Sequence, residues 1–175
     1  ISFAVGNVFG ALFHNLTGGW LANVPDKAYG TAEWYRQLSR SSRNFALVAD
    51  LTVALLGGGL KVKQKLTGRL ADALSELYMV ACVLKRYEDD GKPANDRLIV
   101  SYVAQNALYR YQESMLGVIE NFPVAPVRWL MRIVVFPLGA RYRPAPDWLG
   151  HKLAEMVLTP SETRDRLTRL IYVSN

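Results

Sequence analysis

A chain of 175 residues, half of them apolar, carries enough hydrophobic material for one ordinary packed domain, so it should be globular. Lys and Arg exceed Asp and Glu by six and the pI is near 9.5, a balance that suits an anionic partner such as a phosphate-bearing ligand, an acidic lipid surface or a nucleic acid. The single cysteine, Cys82, excludes an internal disulfide and fits a reducing compartment, and two histidines leave no clustered zinc spacing.

The chain opens on Ile1 and an apolar run, which reads as a fragment or a processed product. Over residues 1–25, Val5, Val8, Phe9, Leu12, Phe13, Leu16 and Trp20 recur at spacings of three and four, predicting an uncharged apolar helix. The stretch lacks the basic start of a signal peptide. Its glycines and polar groups break the run of about 20 mainly apolar residues that a spanning helix needs. The other apolar run, 45–60, is short and contains Asp50, so no convincing span is expected.

From 31 to 56 neither glycine nor proline interrupts the chain, and apolar residues become nearly continuous after Asn44, which predicts a helix buried on most sides. Gly57, Gly58 and Gly59 should end it. They superficially resemble a phosphate cradle, but they follow a helix and lack the Walker spacing, so a C-cap and turn is the reading. A second long helix is predicted over 61–87 with Leu66, Leu70, Ala73, Leu74, Leu77, Ala81 and Leu84 as its stripe, and a third over 95–121. Shorter helices are predicted over 127–135, where Pro126 suits a helix start, over 148–157, and over 161–171 with Ser161 as cap.

No stretch alternates with period two. The fold class is therefore all-α: an antiparallel helical bundle of three long helices plus shorter N- and C-terminal helices. One domain is expected over 1–175, made of the uncharged helix 1–25, the bundle helices 31–122 and a basic, proline-containing C-terminal third, 123–175.

Single residues offer little chemistry. Glu76 beside an apolar stripe has the setting of a raised carboxylate, yet an ion pair within the helix or across to another, with Arg69 or with the partner of Asp72, is the better expectation. Asp50 should pair with Arg43 or Arg69, because an unpaired buried charge is costly. Cys82, among Ala81, Val83 and Leu84, should behave as a small inert hydrophobe. His14 and His151 have no neighbouring ligand set.

Two basic stretches carry more weight. Lys61, Lys63, Lys65 and Arg69 cluster at a helix start, where cations oppose the macrodipole; a solvated helix end is the plainer account. Between 121 and 146, Arg128, Trp129, Arg132, Phe136, Arg141, Tyr142 and Arg143 occur with no acid. That mixture suits a membrane interface, where rings settle at headgroup level and cations meet phosphates. Single-stranded nucleic acid uses the same residue types, and a core role for Trp129 and Phe136 is nearly as good an account.

The strings "LSRSSRNF" at 38–45, the continuation to "YEDDGKP" at 87–93, "QNALYRYQESMLGVIENFP" at 105–123 and the run from "VVFPLGARYRPAPDW" to "RLIY" at 172 are long and irregular. From about Trp34 onward the chain resembles the C-terminal extension of large bacterial acyl-CoA dehydrogenases. That resemblance implies a parent flavoprotein that uses FAD to oxidise a fatty acyl-CoA to the trans-2-enoyl-CoA in β-oxidation and passes electrons to electron-transferring flavoprotein. It places the flavin site and the catalytic glutamate upstream, so no catalytic, cofactor-binding or metal residue is assigned within this chain, and material is expected beyond both ends. It also favours lipid over nucleic acid, because related mitochondrial enzymes for very long chains carry a membrane-associating extension. The expected partners are the upstream dehydrogenase core, electron-transferring flavoprotein, an anionic membrane surface and further copies of the same chain, with no nucleic acid. The expected location is the bacterial cytoplasm, peripheral at the inner membrane. The competing reading is a stand-alone helical module that binds anionic lipid or a partner protein.

Overall fold

The computed structural model describes residues 30–169 and residue 171. The helix expected over 1–25, with His14, lies outside the described residues. Those described form six α-helices and no strand, and the all-α bundle is the architecture observed. Helix α1 spans Ala32–Leu56, α2 Gln64–Asp89, α3 Arg97–Glu120, α4 Ala125–Val135, α5 Asp147–Leu158 and α6 Glu162–Thr168.

Helix ends fall where backbone chemistry puts them. Gly57 adopts φ +45, and its N–H still reaches Val53 O before the chain tightens into a 3-10 segment, Gly57–Val62. The turn after α2 bonds Gly91 N–H to Glu88 O and Lys92 N–H to Tyr87 O, and Pro93 prevents continuation. Pro126 occupies the first turn of α4, where its missing N–H costs nothing, and Ser161 caps α6 by accepting from Arg164 N–H.

The α2–α3 hairpin is the centre of the molecule, with α1 laid along α2 and α4 and α5 resting on α3. Leu66, Ala73, Leu77, Val80, Leu84 and Tyr87 are buried on α2. With the partly buried Leu70 they alternate steps of four and three, the seam of two antiparallel helices packed at a shallow angle. Helix α3 is the most enclosed element: Val100, Ala104, Ala107, Leu108, Tyr111, Met115, Val118 and Ile119 are all buried. The fully buried Tyr111 donates its hydroxyl to Ser41 O at 2.8 Å, pinning α1 to α3.

At the hairpin's closed end, Arg166 of α6 donates to Asp90 and to the buried Asp96, both at 2.5 Å, and Thr163 donates to Asp96 at 3.0 Å. Hydrogen bonding from Arg86 holds the Asp90 carboxyl below its ordinary range; burial opposes it, and the hydrogen bond from Arg166 lowers it further. This cluster clips the C-terminal helix onto both members of the hairpin.

Several expectations are corrected. The second half of α1 is not buried on most sides, because α1 meets the bundle by one face; Ala46, Asp50, Val53, Ala54 and Leu55 are exposed. Counted with its 3-10 extension, the helix runs 31 residues, Ala32–Val62, and an 18-residue window has mean hydropathy 1.7. By length and composition that is enough to cross a membrane, where the sequence reading found no convincing span. Leu74 is 53 % exposed rather than central, since it sits one residue past Ala73 and turns out of the seam. Glu76 pairs not with Arg69 but with Arg110 across the hairpin, in a two-pronged contact of 2.6 and 2.9 Å. Asp50 faces solvent and makes no ion pair with Arg43 or Arg69. Cys82 is exposed on the outer side of α2, so its apolar sequence neighbours do not enclose it.

Candidate functional site

Three prolines at 137, 144 and 146 prevent residues 136–146 from forming a helix, so their backbone polar groups need other partners. Side chains of α3 supply them. The buried Gln112 accepts from Tyr142 N–H at 2.9 Å through Oε1 and donates to Tyr142 O at 3.2 Å through Nε2, as a neighbouring β-strand would. Asn106 Oδ1 accepts from Ala145 N–H at 3.1 Å. The segment is thereby laid along α3.

The side chains of this segment and of α4 divide into inward and outward groups. Tyr142 turns inward: its hydroxyl accepts from Arg40 at 2.8 Å and shares a 3.0 Å hydrogen bond with Ser41, while the Arg40 guanidinium also lies 5.5 Å from the ring centroid. Phe136 packs against the core beneath Arg132, whose guanidinium carbon stands 5.6 Å from its ring. Arg128 donates to Glu120 O at 3.2 Å, at the end of α3. Trp129, Arg141 and Arg143 face outward, Trp129 at 67 % exposure.

Helix α4 is apolar on two sides. Met131, Val134 and Val135 are buried, while Trp129, Leu130 and Ile133 project into solvent with Leu138 just beyond the helix. Arg128 and Arg132 fall between these faces at helical spacing. A cleft also opens between α1, α3 and the 136–142 segment, lined by Arg40, Asn44, Gln112, Phe136, Arg141 and Tyr142 among others, with no carboxylate among the described residues of its wall. Burial holds the neighbouring Tyr111 hydroxyl well above its ordinary pKa; Tyr142 adds to this and Arg40 opposes it.

The model of the family described as "Acyl-CoA dehydrogenase, C-terminal, bacterial type" matches residues 1–175. The chain belongs to the bacterial-type acyl-CoA dehydrogenase C-terminal family. No solved structure matches it. The family implies an oxidoreductase parent that generally uses FAD. The glycine run of this domain leaves one helix, passes through a 3-10 turn and enters another, which is not a phosphate cradle, so no step of flavin chemistry is assigned to these residues. Among the described residues no group of three His, Cys, Asp or Glu is placed to hold a metal ion.

The other sequence candidates have structural or solvated roles. Lys61, Lys63 and Lys65 are exposed around the start of α2, and Arg69 lies across Gly117 of α3, where an added Cβ would come within 2.9 Å of its side chain. His151 Nδ1 is 2.8 Å from Asp147 O within α5. Sequence reasoning missed Arg40 and Gln112. A signal for Arg40 was available: Arg36, Arg40 and Arg43 have no carboxylate from 34 to 49, so none has a helical acid partner on its C-terminal side within reach.

Proposed function

We propose that the domain serves assembly and peripheral membrane attachment for an FAD-dependent parent that oxidises a fatty acyl-CoA to the trans-2-enoyl-CoA in β-oxidation. Electrons then pass to electron-transferring flavoprotein, and the chemistry takes place outside this domain. The observation that carries the attachment reading is the outward face of α4. There Trp129, Leu130 and Ile133 project together, at 67, 43 and 58 % exposure, beside Arg128 and Arg132. A short helix with that arrangement lies in the plane of an interface, its rings and aliphatic chains entering the headgroup layer while its cations meet anionic phosphates.

Each cation near an anionic leaflet contributes about 1 kcal/mol, and that attraction is screened by salt. The protein therefore sediments with phosphatidylglycerol vesicles at low salt and is released as salt rises. Replacing Arg128, Arg132, Arg141 and Arg143 with Gln removes most of the salt-sensitive binding, and Trp129→Ala weakens what remains. Equal binding to phosphatidylcholine and phosphatidylglycerol vesicles, or an unchanged salt response in the fourfold variant, would overturn this reading.

A further inference from the structure

We propose that the cleft between α1, α3 and residues 136–142 binds a phosphate group, held by Arg40 from its inner wall and Arg141 from its rim. Arg40 is half-buried and is the stronger part of the case. Its guanidinium has five N–H donors, and its hydrogen-bond partner is the Tyr142 hydroxyl, with the Tyr142 ring beside it. Among the described residues it makes no ion pair, and no carboxylate lines the cleft. A partly desolvated cation without a counter-charge is costly, and an anion at this position would repay that cost.

The remaining wall suits such a ligand. Val135, Phe136, Pro137 and Leu138 form one apolar side of it, and the amides of Asn44 and Gln112 line another part, so an anion would meet polar groups beside the two guanidiniums. Gly139 turns the chain at φ +80, with its N–H on Phe136 O, and the Gln112 clamp fixes Tyr142, so the rim that carries Arg141 is preorganised. Room for water-sized groups amounts to about 30 Å³. One water needs about 10–15 Å³ on that measure, so the cleft takes two or three oxygens, the size of a phosphate's free oxygens and not of a whole headgroup or nucleotide. The ligand class is a phosphate ester or phosphodiester whose remainder stays outside. The site goes beyond the membrane reading and does not require it.

The test uses the whole chain with inorganic phosphate against chloride at matched ionic strength, read by calorimetry and by melting temperature. Phosphate should bind with measurable heat and raise the melting temperature above that in chloride. Arg141→Gln, at an exposed position, should keep the fold and weaken binding about tenfold or more. Arg40→Gln should weaken it further, Arg40→Lys should retain part of it, and Lys152→Gln on α5 should match the unaltered protein. Phosphatidylglycerol vesicles then separate the two sources. Competition by inorganic phosphate at matched ionic strength, with loss of vesicle binding in Arg40→Gln, which leaves Arg128, Arg132, Arg141 and Arg143 intact, identifies a lipid phosphodiester. Vesicle binding that is absent, or untouched by both, identifies a soluble phosphate ester; only its absence also counts against the membrane reading. No difference between phosphate and chloride, or an equal response in every variant, overturns the site.

Discussion

A buried glutamine must find partners for both ends of its amide, and Gln112 finds both on the backbone of one residue. Because 136–146 is rich in proline, few of its backbone groups have local alternatives, so removing the amide strands the N–H and C=O of Tyr142 together. Gln112→Leu keeps the volume and loses the polarity, and it should cost about 1 to 3 kcal/mol in a urea titration. Amide exchange at Tyr142 should quicken ahead of exchange at Met115, which sits on the same helix. Matched exchange rates at the two positions would show that the clamp does not hold the segment. None of this pairing was legible beforehand. A glutamine inside an apolar stripe declares that a partner exists, but its partner lies 30 residues away.

Helices were the most legible elements, since periodicity and Gly and Pro breaks are local properties of the chain. All six begin near positions that glycine, proline or Ser161 mark, and the first five end near such positions, whereas the end of α6 at Thr168 has no such mark. Which side of each helix meets the core was read less well. On α2 the stripe Leu66, Leu70, Ala73, Leu77 and Leu84 is real, but Val80 and Tyr87 complete it and Leu74 does not belong to it. A leucine one step off the seam has the same hydropathy as one on it, and only the partner helix decides between them. Leu77→Ala should therefore cost about 2 to 5 kcal/mol by leaving a cavity, whereas Leu74→Ala should stay within about 0.5 kcal/mol. Melting the two variants side by side checks the seam, and comparable losses would place it wrongly. The same limit explains α1: near-continuous apolar residues after Asn44 imply burial only if something lies on every side, and here the bundle supplies one side.

Among the described residues, outward apolar surface lies on α4, on the second half of α1, on α5 at Trp148, Val157 and Leu158, and on the outer side of α2, where Leu74, Tyr78 at 71 % exposure and Met79 stand beside Cys82. The charge pattern between 121 and 146 was legible as a basic, aromatic stretch. Its division into inward Phe136 and Tyr142 and outward Trp129 and Arg141 was not, because both groups share one composition. Arg40 joined the candidate site from a distant helix for the same reason that Gln112 did. The position of the lone thiol, a detail of the α2 surface, turns the assembly proposal into a footprinting experiment. The chain has one cysteine, so a maleimide reports on one location. In the isolated 175-residue chain Cys82 should be labelled without unfolding, at a rate near that of a small-molecule thiol. In the full parent enzyme, carried as a variant with its other accessible cysteines replaced, the same thiol should be shielded and slow if the outer side of α2 is the seat of the upstream core or of another copy. Equal rates in both settings would free that face of any assembly role and leave the thiol an open handle on the finished enzyme.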